Sequence, residues 1–398
     1  MSTKTAASTA FGGATCRAQT RPAAKRLSGV ESAVVEPCAD APGGKTIFGR
    51  DWHLPFTFSK LKLPFVPLDR HVEVTVPPAD AGAVLLDYLA LRYNYLDRTQ
   101  WSEQLALGKL RVNGAVADGT EPLSGGDAVF FDAAGLYEQE VSWEISVLEE
   151  TSEYILVNKP GNLPCHPAGR FFNHTLWAWL RQAHGLENIH FVNRLDRETS
   201  GIVLVGKTPR FAAAAAKLLH SLGVESHKRY AVLVHGRFPA RLSAHGWLMK
   251  DFASPVAKKK RFAPVGDCGD TDVVELPEDD EAVTAQTDFR LRGFYRPPRA
   301  GEDPCKFVAD EAGAFSLLEA TLHTGRTHQI RATLCSLGYP VVGDKLYGVD
   351  DRIFLKFATS TLEPDDWARL MLPTQALHAE ALSLPRLGID ATAPIPFI

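Results

Sequence analysis

The sequence predicts an α/β fold with a smaller mixed module ahead of it. Three observations point there. Short runs of aliphatic and aromatic residues, of strand length, recur along the second half of the chain. Stretches with helical apolar spacing and recognisable caps lie between them. Glycine-containing turns punctuate the joins.

The elements follow in chain order. Residues 81–93 have helical apolar spacing, with Leu85, Leu86, Leu89 and Leu91 available for a core. Residues 99–107 read as a second helix, stopped at Gly108. Residues 110–112 alternate like a strand and turn at Asn113-Gly114, a pair suited to a tight hairpin. Gly125-Gly126-Asp127 leads into a further strand at 128–131. Residues 144–148 and 154–157 read as strands, 174–183 as a helix and 202–205 as a short buried strand. Thr208 is a good N-cap with Pro209 at the first helical position, so an alanine-rich helix runs to about residue 220. Residues 230–234 and 317–322 are further strands, and 327–337 is a helix stopped by Gly338. Residues 251–312 read as an irregular stretch, a surface insertion with the acidic run Pro277-Glu278-Asp279-Asp280-Glu281.

A length of 398 residues allows about two domains and a large core. With 45% hydrophobic and 23% charged residues, the composition is that of a soluble globular protein. No apolar run is long enough to span a membrane. The net charge of −4 argues against a nucleic-acid binder judged on totals, but leaves room for a local basic cleft. Lys258-Lys259-Lys260-Arg261, followed by Phe262, is one candidate; a solvated loop or an address signal is its plainer reading. The six cysteines form no Cys-x-x-Cys pair, so neither a zinc site nor a disulfide framework is indicated. Reduced cysteines fit an intracellular, mainly cytoplasmic protein. Residues 1–30 lack Asp and Glu and carry Lys4, Arg17, Arg21, Lys25 and Arg26. That composition fits an organellar transit peptide, for mitochondrion or plastid, or a disordered basic tail. Residues 39–68 are rich in Pro, Gly and aromatics and are expected to pack as an irregular arm.

The most informative stretch is Asn193-Arg194-Leu195-Asp196-Arg197-Glu198-Thr199-Ser200-Gly201, with an apolar run to Val205 behind it. An aspartate between arginines, aimed by a tight turn, meets the needs of a nucleophilic carboxylate. The plainer reading is a solvated loop, since adjacent surface Arg and Asp contribute little. Against it, the motif enters a buried strand, and Gly201 permits a turn that other residues resist. A second dense motif, Thr324-Gly325-Arg326-Thr327-His328-Gln329-Ile330-Arg331, lies far along the chain.

These residues resemble the RluA family of RNA pseudouridine synthases, whose signature reads His-Arg-Leu-Asp-x-x-Thr-Ser-Gly. The stretch from Asn193 to Gly201 matches at all positions but the first. Val157-Asn158-Lys159-Pro160-Gly161 with His166-Pro167, Lys228-Arg229-Tyr230, the Thr324 motif, Gly343-Asp344-Lys345-Leu346-Tyr347-Gly348 and Leu377-His378-Ala379 resemble further family motifs in the right order. The resemblance implies a catalytic domain at 143–398 with a mixed, largely antiparallel central sheet and flanking helices. Residues 71–135 resemble the alpha-L RNA-binding module, with Arg92, Arg98, Lys109 and Arg111 as its basic candidates. Residues 1–70 form the remaining tail and arm.

The implied reaction isomerises uridine in RNA to pseudouridine, with no cofactor and no metal. Asp196 is the implied nucleophile and Arg331 its ion-pair partner, which on its own would read as a helix-surface arginine. Ile330 gives an apolar surface beneath the uracil. Tyr230 offers a ring to stack and a hydroxyl for proton movement, although a lone Tyr opening a strand is more often core; Lys228 at the preceding family position reverses that. The target base must be flipped out of its helix, and Arg194 resembles the arginine that fills the gap. Lys159 and Arg326 are candidates for phosphate contacts, and Lys345 is either a further one or a structural ion pair. The departure is Asn193, where most relatives carry His; it removes a titratable ring and keeps hydrogen-bonding capacity. Ribosomal and transfer RNA both stay open as partners, and a monomer is expected. The rival reading is an RNA-binding or ribosome-assembly factor that has lost catalysis. A zinc nucleobase deaminase is set aside because its His-x-Glu and Pro-Cys-x-x-Cys signature is missing.

Overall fold

The structure, a computed structural model, describes residues 66–93, 95–220, 227–265 and 281–398. The expected tail, almost all of the expected arm and most of the acidic run lie outside these residues. The described chain divides into two compact units, residues 66–139 with 166–178, and residues 140–165 with 179–398. The segment 166–178, placed with the catalytic part from sequence, groups with the first unit. Glu138 accepts the backbone N–H groups of Phe172, Asn173 and His174 at 2.6, 2.9 and 2.9 Å. Arg70 donates to the carbonyls of Gly169 and Arg170 at 2.7 and 3.3 Å.

The first unit contains β1 (His71–Thr75), α1 (Leu85–Arg92), α2 (Arg98–Ala106), β2 (Leu110–Val112), β3 (Ala115–Val116) and β4 (Ala128–Asp132). Its antiparallel sheet has the order β1-β4-β2-β3. Asn113 and Gly114, at φ 49° and 84°, make the tight hairpin between β2 and β3. Helix α1 starts later than its apolar spacing suggests, because Pro78–Asp80 form a 3-10 turn and Gly82 sits at φ 88°. Leu85, Leu86 and Leu89 are buried as expected, whereas Leu91 falls on the opposite face and is 88% exposed. Helix α2 begins in a capping box between Asp97 and Gln100. It buries Trp101 edge-on against Phe131, ring centroids 4.9 Å apart.

The second unit runs β5 (Ser146–Glu150), β6 (Tyr154–Lys159), the part of α3 (Leu176–Ala183) from Trp179 on, β7 (His190–Phe191), β8 (Ser200–Gly206) and α4 (Pro209–His220). It continues with β9 (His227–His235), β10 (Arg241–Lys250), β11 (Lys260–Pro264), β12 (Val283–Arg296), β13 (Val308–Ala309) and β14 (Phe315–Leu322). It ends with α5 (Gln329–Ser336), α6 (Arg352–Ala358), α7 (Pro364–Leu370), β15 (Leu377–Leu384) and β16 (Ile389–Thr392). One 12-stranded sheet follows the order β11-β10-β12-β14-β9-β15-β8-β6-β5, with β13 on β12, β16 on β15 and β7 on β8. Among the described residues β15 and β8 pair in parallel and the other pairs are antiparallel.

The reading of 251–312 as irregular is corrected by the sheet. Strand β12, 14 residues long, lies in its interior between β10 and β14. Its less exposed positions alternate through Val283, Ala285, Thr287, Phe289 and Leu291, and a register shift between Leu291 and Gly293 then breaks the pattern. Arg290 and Arg292, which make the segment look like a solvated loop, pair with Glu319 on β14 at 3.1 and 2.7 Å.

Strand β8 is buried along its whole length. Its Ile202 and Leu204 pack with Tyr154, Leu156, Phe211, Ala215 and Leu382, each large apolar side chain contributing about 1.5–3 kcal/mol. Thr208 caps α4 as expected, its hydroxyl accepting the N–H of Phe211 at 3.2 Å. This core fixes the strand onto which the Asp196 motif opens.

Candidate active site

The motif from Asn193 to Gly201 leads directly into β8, and its end is fixed by close packing. Gly201 has φ 114°, and a Cβ there would stand 2.4 Å from the carbonyl oxygen of Ala379. Only glycine lets β8 and β15 approach in this way. Register then aligns Gly201 with Ala379, and Ala379 with Tyr230 on β9. A tyrosine from one strand is thereby brought across from the Asp196 loop of another.

Arg331, in α5, reaches Asp196. Its Nη1 donates to Oδ2 of Asp196 at 2.7 Å. Its Nε and Nη2 donate to Asp344 at 2.6 and 2.9 Å. Asp344 is buried and also accepts the N–H groups of Leu346 and Tyr347 at 2.9 and 2.8 Å. Asp344 is thus the brace that orients the guanidinium toward Asp196. Burial pushes the Asp196 carboxyl up, but the charge of Arg331 and the hydrogen bond that it donates outweigh it. The group rests below the usual carboxylate range. Asp196 keeps a third of its side chain exposed, so a substrate can reach it.

Tyr230 is buried beside this pair. Burial first, and the charge of Asp196 second, raise its hydroxyl well above the ordinary phenol value. Ile330 is buried next to Arg331 at the start of α5. Lys228, two residues before Tyr230 on β9, is half-buried, and burial lowers its ammonium below the usual lysine value. Arg194 and Arg326 are exposed, the latter donating through Nε to the carbonyl of Thr284 at 3.2 Å.

Lys159 does not present its ammonium to a phosphate. It is fully buried, and Nζ donates to the carbonyls of Pro160, Leu163 and Arg197 at 2.8, 2.9 and 3.3 Å. Burial lowers it to about 8. Its role is to tie the loop after β6 to the Asp196 motif. Lys345 is likewise structural: buried, it bonds Glu198 at 2.6 Å and the carbonyl of Pro373 at 2.7 Å.

Asp344, His328 and Tyr347, inside the quoted motifs, join the site although the sequence gives them no role of their own. His328 faces Asp196, Nε2 to Oδ1 at 3.9 Å, and its Nδ1 lies 3.0 Å from the Tyr347 hydroxyl. Position within the motifs was the one available signal. Asn193, the departure from the family signature, donates to the carbonyl of Ile202 at 3.0 Å and accepts the N–H of Leu204 at 2.8 Å. It clips the motif to β8 with a donor and an acceptor at once. In the first unit, Arg92 and Arg98 pair with Asp80 and Asp87 at 3.2 and 2.6 Å. Lys109 and Arg111 donate to the carbonyls of Ala134 and Gly114.

Residues 153–336, which hold Asp196, Tyr230 and Arg331, match the family model described as RNA pseudouridylate synthase. Residues 153–336 form a pseudouridine synthase domain. A Synechocystis sp. protein named as an uncharacterized RNA pseudouridine synthase is 27% identical over 318 residues, covering 78% of this chain and 94% of that protein. The ribosomal large subunit pseudouridine synthase D of Xanthomonas campestris is 28% identical over 343 residues, covering 83% of this chain and 91% of its own. The Homo sapiens pseudouridylate synthase RPUSD2 is 29% identical over 208 residues, 51% of this chain and 31% of that protein. Around the synthase domain's site, the described residues contain no group of three or more His, Cys, Asp or Glu placed to hold a metal ion. No described helix is long and apolar enough to cross a membrane. The braces Asp344 and Tyr347 lie beyond residue 336, outside the matched segment.

Proposed function

We propose that this chain isomerises uridines in RNA with Asp196 as the nucleophile. The observation that carries this reading is the chain of contacts from Asp344 through Arg331 to Asp196, which leaves an ionised, partly exposed carboxylate beside a buried tyrosine.

The reaction breaks the bond from uracil nitrogen 1 to ribose C1′ and forms one from carbon 5 to C1′. Carbon 5 loses a proton and nitrogen 1 gains one, so the product is an isomer. Asp196 can attack either the ribose or the base, and either route consumes its negative charge. That charge contributes to the raised value of Tyr230. Once Asp196 is bonded, the Tyr230 hydroxyl becomes a better proton donor, and its anion a less costly state, at the moment protons must move. Ile330 supplies an apolar surface for the uracil, and Lys228 a cation on the same face of β9 as Tyr230. Arg194 fills the space of the flipped base, and Arg326 contacts phosphate.

Ribosomal RNA of the large subunit is the first substrate to test, supported by the name of the Xanthomonas relative. The enzyme works as an intracellular monomer. The test maps pseudouridines across total RNA, transfer RNA included, with and without the gene, then restores wild type or Asp196→Ala. One or a few sites should vanish without the gene and return with the wild type alone. A site restored by Asp196→Ala would sink the nucleophile, and an unchanged map would sink the activity.

A further inference from the structure

We infer that His328 is a positioning residue that holds Oδ1 of Asp196 as the attacking oxygen, through a ring whose tautomer Tyr347 sets. This rests on the reading of Asp196 as nucleophile. The two oxygens of Asp196 differ in surroundings. Oδ2 accepts the charge-assisted bond from Arg331 at 2.7 Å, while Oδ1 faces Nε2 of His328 at 3.9 Å. An oxygen engaged by a guanidinium is the poorer nucleophile, which leaves Oδ1 to attack.

His328 stands where it does at a conformational cost. It is the N-cap of α5, at φ 58° and ψ 18°, in the left-handed region, and its side chain makes no capping bond. Such backbone persists in a residue other than glycine when its surroundings fix it. Here they do. The ring lies edge-on to Tyr347, centroids 5.4 Å apart at 76°. Tyr347 is fully buried, and its N–H is held by Asp344, the same carboxylate that braces Arg331. The Tyr347 hydroxyl accepts the N–H of Lys260 at 3.1 Å and lies 3.0 Å from Nδ1 of His328; its buried proton is satisfied when Nδ1 accepts it. This network assigns the ring proton to Nε2, the nitrogen that faces Oδ1.

Asp196, Asp344, Arg331 and Lys258 are the charged groups around the ring, and burial and the two cations keep it neutral. A neutral donor aims the carboxylate without cancelling its charge. The 3.9 Å separation exceeds a hydrogen bond, and catalytic contacts of this kind tighten when substrate closes the site.

The test uses the full chain and total RNA from cells lacking the gene, labelled with tritium at uridine C5, because the reaction releases that hydrogen to water. His328→Ala should lower the rate at saturating RNA by about 10–100-fold while the half-saturating RNA concentration stays within about twofold. His328→Gln, whose amide nitrogen takes the place of Nε2, should keep most of the rate. His328→Asn, whose amide nitrogen takes the place of Nδ1, should fall with His328→Ala. Tyr347→Phe should add little in the His328→Ala background. A wild-type rate for His328→Ala, equal rates for the Gln and Asn variants, or a loss confined to half-saturation would overturn the inference. These outcomes are separable from failure of the parent reading. Absence of release by wild type removes the activity, and release by Asp196→Asn removes the nucleophile; the inference falls with either. Unfolding midpoints are measured alongside, and the Gln–Asn contrast decides where His328→Ala does not fold.

Discussion

Replacing Arg331 by Met tests the electrostatic core of the site. The guanidinium is 8% exposed and bonded to two carboxylates, of which Asp344 has no exposed side-chain surface. Removing it leaves Asp344 buried with only the N–H groups of Leu346 and Tyr347 as partners. Breaking a buried pair from one side costs about 3–5 kcal/mol, because the surviving charge is uncompensated. The pH dependence has a definite sign. In the wild type, burial pushes Asp344 up, but Arg331 and the hydrogen bonds hold it below the ordinary carboxylate value. Its contribution is therefore present above about pH 3.9, the unfolded value, and is lost as pH falls through the folded one. In Arg331→Met burial prevails, the folded value rises above the unfolded one, and the penalty is full at neutral pH and gone in acid. The gap between the two proteins, read from urea titrations, should shrink as pH falls from 7 toward 4. The double variant Arg331→Met, Asp344→Asn removes the stranded charge and keeps an acceptor for both N–H groups. It should regain most of the stability and none of the tritium-release activity. A single variant within about 1 kcal/mol of wild type at pH 7, or a double variant no more stable than the single, would refute the reasoning.

Further outcomes follow from the same geometry. Asp196→Asn should lose more than about a thousandfold in rate with a midpoint close to wild type, since Arg331 retains Asp344; residual turnover above that level would count against the nucleophile. Gly201→Ala should destabilise by about 2–3 kcal/mol or more, because φ is 114° and the new Cβ would meet the Ala379 backbone; thermal unfolding reads this. Arg326→Ala should weaken RNA binding and reduce its salt slope by about one with the rate at saturation unchanged. Lys159→Met should do the reverse, leaving the salt slope alone and lowering the midpoint as three carbonyls lose their donor; a slope change for Lys159→Met would restore it as a phosphate contact.

The pairing of Arg331 with Asp196 was legible because each lies in a contiguous motif that resembles the same family. Elements with clear local signals were legible as well: the Thr208 cap, the Asn113-Gly114 hairpin and the buried strand at Ile202. Strand β12 was not, because a bulge breaks its alternation and its arginines find their acid partner on another strand. The burial of Lys159 is not legible for a related reason. A lysine in a loop normally keeps its ammonium in water, and sequence does not show one curling onto carbonyls of its own loop and of a distant motif. The place of His328 is not legible either, because it depends on a left-handed backbone and on Tyr347, neither visible in a pattern of residue types.

The remaining residues of the motif explain why its aspartate can be so well placed. Asn193 clips to the β8 backbone. The N–H and carbonyl of Leu195 both meet Cys165 Sγ, at 3.4 and 3.3 Å. Arg197 donates to Asn162 at 2.8 Å, and Glu198 holds Lys345. Thr199 accepts from Gln375, and Ser200 bonds His378 Nδ1 at 2.8 Å. These partners lie before and after the motif in sequence, so the loop is stitched to several segments of its unit. Asp196 is the residue whose side chain this stitching aims at Arg331 and His328 while leaving part of it open. A carboxylate held so tightly need not reorganise when charge develops, which is the condition for efficient nucleophilic attack. It follows that Gln375→Ala or Asn162→Ala, far in sequence from Asp196 and both buried, should lower the rate at saturation more than they raise the half-saturating RNA concentration.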